Sequence, residues 1–191
     1  MSTVLFEGLP GTGKTTITSR LAEEYDNVER IGEVLDGDYR EVPQEEHSEK
    51  SVDFFVDSEY NKKDYAAEQD ADITVFDRGF PSTVSHTFAR EVVDSDSPFR
   101  QTVEEFEDYL EDVDDAHYVY LESDVDTSLE RSFHEEDDIW GARQFLEATQ
   151  MFYDVFFLGR DDVHRVDAAE NSEDEVYDYC SEIIEELGGE R

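Results

Sequence analysis

The chain has 191 residues, 37% of them hydrophobic and 13% aromatic, which suits one domain with its own core. It carries 53 acidic against 15 basic residues, a formal net charge of −38, and this field excludes nucleic acid and anionic membrane surfaces as partners. Cys180 is the one cysteine, so no intrachain disulfide can form, and no run approaches the roughly 18 apolar residues of a membrane span; a soluble protein of a reducing cytoplasm is expected.

The first predicted element is a strand over residues 3–7, followed at once by Gly8-Leu-Pro-Gly-Thr-Gly-Lys-Thr15, which satisfies the pattern G-x-x-x-x-G-K-[ST]. The chemistry explains the spacing. Glycines let the backbone curl so that successive amides point at phosphate oxygens, at the positive end of a following helix. Gly8, Pro10, Gly11, Thr12, Gly13, Lys14, Thr15 and Thr16 are therefore the candidate triphosphate cradle. Lys14 neutralises β/γ-phosphate charge, and the Thr15 hydroxyl is placed for Mg²⁺. A helix from Thr15 follows, with Ile17, Leu21 and Tyr25 at helical spacing and Asn27 ending it.

Four further apolar runs read as buried strands: 28–31, 73–76, 118–121 and 163–166. Helical patterns lie between them at 54–69, 84–93, 102–110, 125–133 and 142–158. The charged stretches 41–50, 94–97 and 134–138 read as loops. The last helix opens on a capping box, Ser172 with Glu175, and its stripe of Val176, Cys180, Ile183, Ile184 and Leu187 makes Cys180 a core residue. Alternation of this kind predicts an α/β fold, a three-layer sandwich around a five-stranded parallel sheet. No repeat or linker divides the chain, so residues 1–191 are expected to form a single domain.

The acidity has a physical reading. High charge and modest hydrophobicity can mark disorder, but apolar periodicity along the whole chain argues for a packed core. Lysine is scarce throughout, at Lys14, Lys50, Lys62 and Lys63. At molar ionic strength the Debye length falls to about 3 Å, which screens acidic self-repulsion, so the surface is expected to be adapted to high salt.

Two acids stand where chemistry needs them. Asp77 ends the third strand, the place from which a phosphate-loop enzyme organises Mg²⁺, and Arg78 beside it can clamp a phosphate bidentately. Glu33 follows the second strand. Arg131 and Arg143 bracket an acidic segment containing Trp140, a candidate lid over about 131–143. In the helix from residue 54, Phe54, Phe55, Tyr60 and Tyr65 could stack on a base, Glu59 could bind a sugar hydroxyl or Lys62 a phosphate, although core is the simpler role for most of them. Asn61-Lys-Lys-Asp64 spells a guanine signature but lies in a helical pattern before Asp77, the wrong place for it. The five histidines show no metal-ligand spacing.

Taken together, Glu7 to Thr16, Gly32-Glu-Val34, Asp77-Arg78, the segment from Leu121 to Arg131 and Val166-Asp-Ala-Ala169 resemble the thymidylate kinase and deoxynucleoside kinase group of phosphate-loop kinases, over nearly the whole chain. The resemblance implies ATP and Mg²⁺ as cofactors, a small nucleoside or nucleotide as acceptor, and often a homodimer. It implies that Glu33 serves the acceptor, that Arg131 closes over the transferring phosphoryl group with Arg143 as a second lid arginine, and that residues 166–169 lie beside the adenine. Pro10 stands where thymidylate kinases carry Asp, and Gly32 where they carry the arginine that serves the monophosphate. Asp77-Arg78-Gly79 is nevertheless closer to the thymidylate pattern than to the Glu-Arg-Ser of nucleoside kinases. Both acceptors stay open: a monophosphate, or a hydroxyl for which Glu33 could be general base. The alternatives are a non-nucleotide metabolite as acceptor and an ATP-binding protein without kinase turnover.

Overall fold

The computed structural model describes residues 2–33, 50–94, 97–112, 116–132 and 143–191. Five strands, β1 (Ser2–Glu7), β2 (Val28–Ile31), β3 (Ile73–Asp77), β4 (His117–Glu122) and β5 (Val163–Asp167), form one sheet in the order β2-β3-β1-β4-β5, with every pair parallel. The helices are α1 (Lys14–Glu24), α2 (Lys50–Ala67), α3 (Phe80–Asp94), α4 (Phe99–Asp112), α5 (Val125–Arg131), α6 (Arg143–Phe156) and α7 (Glu173–Glu186). The fold is the expected α/β sandwich.

Two helical layers explain why the central strands read as continuous apolar runs rather than alternating ones. On one face Val4, Phe6, Val75 and Val119 pack with Ile17 and Leu21 of α1 and with Val176, Cys180 and Ile184 of α7. On the other, Leu5, Phe76, Tyr118 and Tyr120 pack with Val56 of α2, Phe80 of α3, Phe106 of α4, and Tyr153 and Phe157 in and just after α6. Burial pushes the Cys180 thiol up to about 12, as a core position requires. The Ser172–Glu175 capping box is present with both reciprocal hydrogen bonds.

Helix starts differ from the expected ones. α3 begins at Phe80 rather than at residue 84, because Pro81 sits in its first turn, where its missing N–H costs nothing. α2 begins at Lys50 and α4 at Phe99. Of the expected loops 41–50, 94–97 and 134–138 and the expected lid 131–143, residues 41–49, 95–96 and 133–142 lie outside the described residues, while Lys50 belongs to α2 and Asp94 to α3. The carboxyl ends of all five strands face one way, and β1 at the centre feeds the phosphate loop into α1 at that edge.

Candidate active site

The loop between β1 and α1 has the curled backbone its glycines predict. Gly8, Gly11 and Gly13 have φ of 144°, 76° and 89°, regions that side chains disfavour. Gly8 has a second constraint, since a Cβ there would lie 2.5 Å from the Leu121 carbonyl oxygen. At Gly11 a Cβ would meet the Arg131 Cβ at 2.9 Å. The Ser128 hydroxyl of α5 donates to the Pro10 carbonyl at 2.7 Å, so β4 and α5 back the loop.

α1 starts at Lys14 with Gly13 as a left-handed N-cap and no side chain capping its first turn. Amides there carry the positive end of the helix dipole, and Thr15 and Thr16 are exposed beside them. Lys14 is buried and spends its three donors on the Gly8 carbonyl at 2.9 Å, the Leu9 carbonyl at 2.8 Å and the Thr12 hydroxyl at 3.0 Å. Burial, with the nearby Arg78 charge adding to it, holds Lys14 well below the usual lysine range against the pull of Asp77, Glu7 and Glu33. An arriving phosphate anion acts in the opposite direction and favours the ammonium.

Asp77 is 2% exposed. Its Oδ2 accepts from Arg30 Nη2 at 2.7 Å, and Arg30 also donates to the Thr18 hydroxyl of α1 at 3.0 Å. Oδ1 is buried without a hydrogen-bond partner among the described residues. The register explains the pair: Arg30 lies opposite Val75, and Asp77 is two residues further along the same face, within diagonal reach. An orphaned buried carboxylate oxygen fits a hard cation with oxygen ligands. No cluster of three or more acidic, His or Cys ligands exists among the described residues.

Arg78 has φ of 70°, unusual for a residue with a side chain and costing roughly 1–2 kcal/mol. Several contacts hold it there. Its amide donates to the Phe6 carbonyl at 3.1 Å, and Nε pairs with Glu33 Oε1 at 3.2 Å. Nη1 reaches the Gly8 carbonyl at 3.5 Å and the Ser82 hydroxyl at 3.3 Å. Burial would pull its pKa down, but Glu33, Tyr153, Glu7 and Asp77 outweigh that and raise it. Glu33 itself is 58% exposed at the end of β2, on the solvent side of the pair.

Four residues beneath the site were not singled out from sequence. Glu7, fully buried at the end of β1, accepts from the Gly79 amide at 2.8 Å, the Ser82 hydroxyl at 2.5 Å and the Tyr153 hydroxyl at 3.0 Å. Burial nevertheless raises its pKa. Arg30 is the fourth. The available signals were an acid closing an apolar run and a charge inside the four-residue strand Val-Glu-Arg-Ile.

On α2, Lys62 is fully buried, with Nζ 2.5 Å from Glu59 Oε1, 3.1 Å from the Arg78 carbonyl and 3.4 Å from the Glu33 carbonyl. It therefore faces backbone instead of a free phosphate. Tyr60 donates its hydroxyl to the Glu105 carbonyl at 3.0 Å, as a packing residue does, and Tyr65 is 40% exposed. The side chain of Phe54 lies outside the described residues.

The lid arginines are placed unequally. Arg131 donates to the Ala168 carbonyl at 2.5 Å and the Ala169 carbonyl at 3.3 Å, so its guanidinium lies against the β5–α7 loop. There it borders a cavity of about 200 Å³ lined with Gly11, Gly13, Ile17, Ala168, Asn171 and Val176. Arg143, 53% exposed, pairs with Asp126 of α5 and lies 3.9 Å from Glu147 of α6.

A glycine loop with its lysine, a buried acid on the neighbouring strand and a cavity beside α1 define the phosphate-loop class of nucleotide-binding α/β folds. Within it the chain belongs to the AAA domain family, whose model matches residues 3–187. No curated protein matches. Among solved structures, the deoxyadenosine kinase from M. mycoides with bound dATP is similar at 14% identity, over 97% of this chain and 100% of that one, with a TM-score of 0.72. The thymidylate kinase from Candida albicans is similar at 19% identity, over 97% and 91%, with a TM-score of 0.71. At such identities the likeness establishes the fold. Among the described residues no helix is long and apolar enough to cross a membrane.

Proposed function

We propose that the chain is an ATP- and Mg²⁺-dependent kinase that phosphorylates a nucleoside monophosphate or a nucleoside. The observation that carries this reading is the Arg78 guanidinium, which touches the phosphate-loop carbonyl of Gly8 at 3.5 Å on one side and the Glu33 carboxylate at 3.2 Å on the other. One side chain thus joins a donor cradle to an exposed acid at the adjacent strand end. A protein that only bound nucleotide would need the cradle alone.

In this reading the amides of Gly11, Gly13 and Lys14 to Thr16 hold the triphosphate, and the adenine enters the cavity between Ile17, Val176 and the 168–171 loop. Arg131 then borders the base rather than the transferring phosphoryl group. Thr15 and Asp77 Oδ1 would hold Mg²⁺, directly or through water, and the ion would neutralise charge on the β- and γ-oxygens. Arg78 orients the acceptor and offsets charge on the transferring group. The acceptor oxygen forms the new bond to the γ-phosphorus as the bond to the β-γ bridging oxygen breaks and ADP leaves. For a hydroxyl acceptor the proton passes to Glu33; an ionised monophosphate needs no base. Positioning and charge stabilisation supply most of the rate.

The test is ADP release in about 2 M KCl, a salt level that screens the acidic surface, with each deoxynucleoside and monophosphate in turn. The proposal expects release that depends on an acceptor. Hydrolysis independent of every acceptor would leave a nucleotide-binding ATPase instead.

A further inference from the structure

A buried ion pair is a poor stabilising device, because desolvating two charges cancels most of their attraction, and an apolar pair of similar volume serves the fold as well. Glu59 and Lys62 on α2 nevertheless form one, at 4% and 0% exposure. Glu59 Oε2 has no hydrogen-bond partner among the described residues, and burial pushes this carboxyl up to about 7 despite the adjacent ammonium. Such local cost in a core points to a role in the site above it.

That role is visible in what Lys62 does with its remaining donors. An ammonium has three protons, and after Glu59 the other two go to the carbonyls of Arg78 and Glu33, at 3.1 and 3.4 Å. These carbonyls belong to the residues whose side chains form the ion pair at the ends of β2 and β3. Arg78 adopts the left-handed conformation there, and its carbonyl finds its donor in the buried Lys62. We infer that Lys62 is a positioning residue for phosphoryl transfer: from beneath the sheet edge it pins the backbones of Glu33 and Arg78 to one another and so sets the geometry of the acceptor-side pair. Glu59 keeps the ammonium aimed. Neither touches substrate. The inference rests on the kinase reading above.

The experiment uses the full chain in about 2 M KCl, with Lys62→Met and the double variant Glu59→Gln/Lys62→Met, which leaves no lone buried charge. It records kcat and ATP KM in the acceptor-dependent assay, together with binding of a fluorescent ATP analogue. Losing the clamp should lower kcat about 100-fold in the double variant while ATP KM and analogue affinity stay within about twofold, because the phosphate loop does not depend on Lys62. A double variant with wild-type kcat overturns the inference. So does one that fails to fold or loses ATP binding in step with kcat, since Lys62 would then be holding the fold and not the pair. If the unaltered chain shows no acceptor-dependent turnover, the kinase reading falls first and takes the inference with it.

Discussion

Arg30 holds Oδ2 of Asp77 at 2.7 Å across two adjacent strands, while Oδ1 of the same carboxylate is buried with no hydrogen-bond partner among the described residues. One oxygen is thereby fixed and the other presented. Replacing Arg30 with Met should cost about 1.5–3 kcal/mol, the usual worth of a hydrogen bond to a charged group, and free the carboxylate to rotate. Urea unfolding measures the first effect. The second should appear as about a tenfold rise in the Mg²⁺ concentration for half-maximal turnover, equivalent to about 1.4 kcal/mol. An unchanged Mg²⁺ requirement would separate Asp77 from the ion.

The glycines of the phosphate loop should not be equivalent. At Gly8 a methyl would meet the Leu121 carbonyl oxygen at 2.5 Å, a backbone atom held in the β4 ladder, whereas at Gly13 nothing lies within 4 Å. Gly13→Ala should therefore cost only its left-handed strain, roughly 1–2 kcal/mol. Gly8→Ala should cost more and displace the loop from β4. Equilibrium denaturation of the two variants gives the order directly.

His86 lies edge-on to Phe145, with ring centroids 5.3 Å apart, and burial followed by the charges of Arg90 and Arg78 lowers its pKa to about 4. The unfolded chain binds the proton near pH 6.5, so the folded state loses stability as pH falls from there through 4. The full loss is up to roughly 3 kcal/mol. His86→Phe should lose less stability than the parent chain between pH 7 and 4.5, with guanidinium titrations at each pH as the check.

The surplus of acids, 53 against 15 basic residues, should make stability depend on salt. Moving from 1 M to 0.01 M salt lengthens the screening distance from about 3 Å to about 30 Å, which exposes the self-repulsion. Far-ultraviolet circular dichroism should show unfolding on desalting and recovery in molar KCl. A chain that stays folded in dilute buffer would remove the high-salt reading.

The five strands and seven helices of the described residues were legible in the sequence because the central strands are apolar runs, the edge strands carry apolar residues at their ends and most helices show an apolar stripe. The phosphate loop was legible for another reason: its chemistry is local, eight residues whose order is the site. Helix starts were read less well. The apolar spacing of α3 shows from residue 84, whereas the helix begins at Phe80 with Pro81 in its first turn, a position proline suits. What the sequence could not disclose is which distant polar groups meet. The Arg30–Asp77 pair spans 47 positions and exists because β2 lies beside β3; the Tyr153–Glu7 bond spans 146 and the Lys62–Glu33 contact 29, and these exist because α6 and α2 pack against the sheet. The Arg131 contact is of the same kind: its partner, the Ala168 carbonyl of the β5–α7 loop, lies 37 residues on.

We propose that Arg78 joins a donor cradle to an acceptor site. The most direct measurement follows label from γ-³²P-ATP after incubation with the full chain, Mg²⁺ and a mixture of deoxynucleosides and monophosphates in about 2 M KCl. Label in a nucleoside monophosphate or diphosphate product, lost in Lys14→Ala, is the predicted result. Label found only as free phosphate, or retained in ATP, would contradict it.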